Sequence, residues 1–162
     1  MISSNPIFKR NIMIQTNFKW WKRIFKTQII LLDSGSTDNT ESIFLSYKNK
    51  LDLLFKDIGK CSIGEARNIA IKFVKSDYFI FLDSDDALFD DRLLFDYNTV
   101  SEHERIDFIY GDSLQIDKKS FKDSYYCKST KNAELYQFLN IPYNLSSLTI
   151  SRNFLLRNKI KF

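Results

Sequence analysis

Residues 28–41 read QIILLDSGSTDNTE: an apolar run of strand length closed by Asp33, a turn around Gly35, and the opening of a helix. The run is rich in β-branched and aliphatic residues, as a buried strand requires. Asp38 stands three residues before Glu41, a pattern that predicts a helix cap, and Ile43, Phe44 and Tyr47 form the apolar stripe of the helix that follows. A second run, YFIFLD at 78–83, repeats the arrangement and again ends in aspartate. Between the two, LDLLFKDIG at 51–59 predicts another short strand. It is followed by SIGEARNIAIKFVK at 62–75, a helix opened by the capping box Ser62 to Glu65, with Ala66, Ala70, Phe73 and Val74 on one face. Strand alternating with helix predicts an α/β fold with a largely parallel sheet flanked by helices. Ligands of such sheets sit at the carboxyl ends of strands, where both aspartates fall.

Outward from this centre, RLLFDY at 92–97 continues as a helix, and DFIYGDSLQI at 107–116 predicts a strand pair around Gly111. SSLTISRNFLLRNKIKF at 146–162 predicts a strand and a short basic helix. Upstream, NIMIQTN at 11–17 fits a strand and FKWWKRIFK at 18–26 a short helix carrying Phe18, Trp21 and Phe25 on one side. Trp and Phe mixed with Lys19, Lys22, Arg23 and Lys26 suit two roles, peripheral contact with anionic lipid or core packing with snorkelling lysines. SEHERID at 101–107, which holds His103, reads as a solvated helix face.

The totals narrow the class. With 162 residues, 44% of them hydrophobic and 15% aromatic, the chain supplies a core for one ordinary domain. Lys and Arg exceed Asp and Glu by 24 to 20, a mild excess that suits anionic ligands without demanding nucleic acid. Cys61 and Cys127 lie far apart, outside any zinc or disulfide pattern, and no apolar stretch has the length of a signal core or a membrane span. The expectation is a cytoplasmic protein, soluble or peripheral to the inner face of a membrane, in which the sequon Asn144-Leu145-Ser146 carries no glycan.

The densest chemistry is FLDSDDALFDD at 81–91. Asp83, Asp85 and Asp86 crowd together after a strand, and such a cluster persists where a cation, a shared proton or solvent relieves the repulsion. Hard carboxylate oxygens in a loop suit Mg2+ or Mn2+, which keep positions open for substrate phosphates. The plainer alternative is an acidic turn that opens the next helix.

In order and spacing, IILLDSGSTDNT, then GEARNIAI, then YFIFLDSDD resemble the nucleotide-binding half of family 2 glycosyltransferases of the GT-A fold. The resemblance covers residues 29–118 best, and implies a nucleotide-sugar-binding half over 1–118 and the start of an acceptor-side region over 119–162, within one domain. It implies that Asp33 meets the base of the nucleotide, a role open to a carboxylate facing uracil N3–H, with Ser36 of the same motif beside it. By local chemistry alone, Ser34 to Thr37 are equally a tight turn and helix cap. Arg67, from the family's Ala-Arg-Asn motif, is implied either to approach the diphosphate or to hold the acidic loop in place, and by itself reads equally as a solvated helix residue. DSDD maps on the family's DXD-type motif, with Asp85 near ribose and diphosphate, Asp86 as metal ligand for Mn2+ or Mg2+, joined by Asp85, and Asp83 supporting the loop. Thr16 matches the nucleotide-contacting position that ends the family's first strand. The activity implied is inverting transfer of a sugar from a nucleotide diphosphate sugar, a UDP-sugar first, to a hydroxyl on a glycan or lipid-linked acceptor.

Two departures from the family pattern shape the expectation. The N-terminal strand and helix are shortened, and the sequence stops at Phe162, ahead of the late acidic motif that supplies the general base in inverting members. A truncated or degenerate fragment that at most binds UDP and metal is therefore the first alternative. The second is a haloacid-dehalogenase-like phosphatase with Asp83 as nucleophile and Asp85 as acid or base, although Ala87 stands where that motif carries Thr or Val.

Overall fold

The computed structural model describes residues 27–116, 123–127 and 145–162. Thr16 and the aromatic-basic stretch at 18–26 lie outside these residues. In chain order the elements are β1 (Gln28–Asp33), α1 (Thr40–Ser46), β2 (Asp52–Asp57), α2 (Ile63–Phe73), β3 (Tyr78–Ile80), α3 (Arg92–Glu102), β4 (Phe108–Tyr110), β5 (Ser113–Ile116) and β6 (Asp123–Cys127). A 3-10 turn (Leu145–Ser147), β7 (Leu148–Ser151) and α4 (Arg152–Arg157) complete it. The alternation of strand and helix is the α/β architecture that the sequence predicts. Among the described residues no helix is long and apolar enough to cross a membrane.

The chain divides into two compact units. The first takes residues up to Lys75 together with Ser84–Ala87 and Lys159–Phe162; the second takes Ser76–Asp83 and Leu88–Asn158.

In the first unit β1 and β2 pair in parallel, with Asp33 opposite Asp57, and the Ile58 amide donates to the Asp33 carbonyl at 2.8 Å to close the ladder. The α1 stripe behaves as predicted: Phe44 is buried and sets its ring 6.2 Å from that of Phe55 on β2, with Ile43 and Tyr47 half-buried beside it. Asp38 works differently from the prediction. Its carboxylate takes the amide of Thr40 at 2.9 Å and the Thr40 hydroxyl, an Asx turn that leaves Asn39 in the capping position without a side-chain bond. The α2 capping box is present in full: the Ser62 hydroxyl accepts from the Glu65 amide at 3.2 Å, and Glu65 accepts from the Ser62 amide at 2.8 Å. Val74, expected on the helix face, lies past its end in extended backbone and is buried there.

In the second unit β7 runs between β3 and β4, antiparallel to both, so that β3 and β4 run parallel to each other with the later strand inserted between them. All four residues of β7 are buried; Leu148 and Ile150, at 1% and 2% exposure, form the core with Ile109, Phe154 and Leu155. The polar residues of the same strand are satisfied: Ser151 accepts from the Phe154 amide at 3.3 Å as the cap of α4, and Thr149 donates to Asp96. The predicted strand over 78–83 ends at Ile80, because beyond it a side chain takes over from the ladder: the Asp83 amide donates to the Ser146 hydroxyl at 3.0 Å. The strands around Gly111 do form, but each pairs elsewhere, β4 with β7 and β5 with β6. Of the stretch read as a helix face, Ser101 and Glu102 end α3, His103 is its C-cap and the residues after it leave the helix; the His103 ring meets the Thr99 carbonyl at 3.0 Å.

Candidate functional site at the carboxyl ends of the strands

Asp33 closes β1 and is 4% exposed. Its carboxylate is fixed by the turn that follows, accepting from the Ser36 amide at 2.8 Å and from the Ser36 hydroxyl. The turn needs Gly35, whose φ of 83° lies in the left-handed region that other residues adopt at a cost. β2 repeats the device one strand over: Asp57 accepts from the Gly59 amide at 2.9 Å, and Gly59 has φ of 64°. Two Asp-x-Gly turns thus stand side by side at the carboxyl end of a parallel pair, with the Ser34 hydroxyl 3.9 Å from the Cys61 thiol. The twin turn at Asp57 was not singled out from the sequence, although the repeated D-x-G spacing was its signal.

Arg67 is the fifth residue of α2 and half-buried, placed by the capping box at the start of its helix. Its neighbour Asn68 clamps the segment Lys159–Phe162 from both sides: the side-chain amide donates to the Phe162 carbonyl at 2.7 Å, and the Phe162 amide donates back at 3.1 Å. Folding lowers the pKa of Glu65, because the Ser62 amide and then its hydroxyl hydrogen-bond the ionised form, against a small desolvation in the other direction.

The acidic stretch divides between the units. Asp85, exposed, and Asp86, half-buried, sit on the turn Ser84–Ala87 that belongs with β1 and α2, whereas Asp83 belongs to the second unit. Asp33, Ser36, Arg67, Asp85 and Asp86 are therefore members of one compact unit, and Asp33 and Ser36 are joined directly. Among the described residues no three acidic, imidazole or thiol groups converge into a closed metal cage. Neighbouring hard carboxylates on an open turn instead fit an ion that takes one or two protein oxygens and fills its remaining positions with phosphate and water.

An α/β chain with aspartates at the carboxyl ends of its strands and an acidic turn beyond is the architecture of a GT-A transferase. The chain belongs to glycosyl transferase family 2, whose sequence profile matches residues 20–158. An uncharacterized glycosyltransferase of Rickettsia prowazekii is 38% identical over 101 residues, covering 62% of this chain and 30% of that protein. The poly(ribitol-phosphate) beta-glucosyltransferase of Bacillus spizizenii is 30% identical over 139 residues, covering 83% of this chain and 22% of that protein. Among solved structures, S. aureus TarS 1–349 in complex with UDP-GlcNAc superposes with a TM-score of 0.69 at 23% identity, over 86% of this chain and 41% of that one, and this likeness speaks to the fold. The chain thus spans under a third of the length of these two relatives. Family membership decides between the two enzyme readings of the acidic loop in favour of the transferase over the phosphatase.

Proposed function

We propose that this chain is the donor-binding part of a metal-dependent, inverting glycosyltransferase that moves a sugar from a UDP-sugar to a hydroxyl of a glycan or lipid-linked acceptor. The observation that carries the reading is the gathering of Asp33, Arg67 and the Asp85–Asp86 turn, three elements far apart in sequence, in one compact unit. Asp33, held in place by Ser36, accepts from uracil N3–H. Asp86, joined by Asp85, holds Mn2+ or Mg2+, and a metal bound there supplies charge stabilisation to the leaving diphosphate. Asp85 also faces the ribose, Arg67 approaches the diphosphate from its helix, Asp83 supports the acidic loop from the strand side, and Thr16 adds a nucleotide contact. The UDP-GlcNAc in the TarS complex supports a uridine donor, and the poly(ribitol-phosphate) relative supports a hydroxyl-rich polymer as acceptor.

Calorimetric titration of UDP tests this directly. Binding should tighten by about tenfold or more when Mn2+ is added, a difference of about 1.4 kcal/mol or more, and Asp86→Ala should abolish that gain. A folded wild-type chain that binds no UDP with or without Mn2+ refutes the proposal and leaves a degenerate fragment as the better description.

A further inference from the structure

Both ends of the acidic loop are tied to one short stretch of chain. At the entrance, the Asp83 amide donates to the hydroxyl of Ser146, which is buried in the 3-10 turn before β7. At the exit, Arg92, the first residue of α3, donates through Nη2 to the Ser147 carbonyl at 2.8 Å and to the Thr149 hydroxyl at 3.4 Å. The same guanidinium is held by Asp96, 4% exposed, through Nε at 2.9 and 2.8 Å, and Thr149 donates to that carboxylate in turn. Gly111 lies against the guanidinium: a Cβ added there would stand 2.7 Å from Nη1, so even the space around Arg92 is taken. The four residues Ser146–Thr149 thus grip the positions that bracket Ser84–Asp91.

We propose that Ser146–Thr149 is a two-point clamp, with Ser146, Thr149 and Arg92 as positioning residues that set the metal affinity of the acidic loop without touching the metal. The inference rests on the proposed function, in which Asp85 and Asp86 hold the cation. An eight-residue loop fixed at neither end spreads its carboxylates over many arrangements, and a cation that needs one arrangement must order the rest. Fixing both ends removes part of that cost before the ion arrives. The loop carries four carboxylates, Asp85, Asp86, Asp90 and Asp91, and no basic group, so crowding them into one arrangement works against like-charge repulsion.

The test uses Ser146→Ala and Thr149→Val, which remove one hydroxyl each and leave the Arg92–Asp96 pair in place, with Ser146→Thr and Thr149→Ser as variants that keep the hydroxyl. UDP affinity is measured by calorimetry with and without Mn2+. The proposal expects the Mn2+ enhancement to fall about fivefold or more in the first pair and to return in the second, while metal-free UDP affinity stays within about twofold of wild type. An enhancement that survives in both hydroxyl-free variants overturns the clamp, as does a parallel loss of metal-free and metal-dependent binding, the mark of general destabilisation. If the wild type binds no UDP, the proposed function fails separately, and amide hydrogen exchange over Asp83–Arg92 then reads the clamp itself. Exchange about tenfold faster in Ser146→Ala and restored in Ser146→Thr supports it, and unchanged exchange overturns it.

Discussion

Arg92 shows how one side chain converts a strand insertion into a fixed loop. Its planar fork serves two acceptors at once, Asp96 through Nε and the Ser147 carbonyl through Nη2, a geometry lysine has no means to copy. The far end of an arginine ordinarily moves aside for an intruding methyl, but this one is bonded on both sides. Gly111→Ala therefore has to displace a half-buried, paired guanidinium or shift β4. We expect the substitution to lower stability by about 1–3 kcal/mol in urea denaturation, as overpacking does. Ile63→Ala, at a side chain 70% exposed on α2, is the control and should change stability by less than about 0.5 kcal/mol. A Gly111→Ala chain as stable as wild type would mean that Arg92 is not held as described.

At the scale of elements, α2 is set by its first turn, and its titration has a definite sign. Folding lowers the pKa of Glu65, so the unfolded chain binds the proton more readily than the folded one. The capping-box contribution is therefore complete above the unfolded carboxyl's pKa and is lost as pH falls through the lower, folded value. Glu65→Gln should flatten the acid limb of a stability-versus-pH curve, measured by urea denaturation at successive pH values, and an acid limb of unchanged slope would contradict the assignment. This box was readable because all of its partners lie within four residues. So was the Asp33–Ser36 turn, whose bonds are equally local, while β1 and β2 were readable from their apolar runs although the residues they pair lie 24 apart. What the sequence left hidden are the long-range choices. β7 slips between β3 and β4, so β3 stops at Ile80 and β4 pairs with β7 rather than with β5. Asp83 looked like the end of a strand; its amide in fact meets Ser146, 63 residues away, which no local pattern announces. Even the error at Asp38 is local competition: its side chain reaches the nearer Thr40 amide, and the helix starts one residue beyond.

At the scale of the whole molecule, neither unit is a continuous piece of chain. The first needs Ser84–Ala87 from the middle of the second and Lys159–Phe162 from beyond it, and Asn68 fastens Phe162 by two bonds that join residues 94 apart. When the second unit unfolds, the tethers that deliver those segments lengthen and loosen, and the first loses the partners of Asn68 along with the acidic turn. The interleaving argues for a single cooperative transition instead of two. Urea titrations followed by hydrogen exchange should therefore give the same unfolding free energy for the most protected amides of α2 in the first unit and of β7 in the second. Asn68→Ala cuts one of the ties, and should lower the α2 value by about 1–3 kcal/mol through loss of the two part-buried hydrogen bonds to Phe162. Its effect on β7 decides the question: a matching fall there is what one cooperative molecule requires, whereas a β7 value left unmoved would show two units that fold independently.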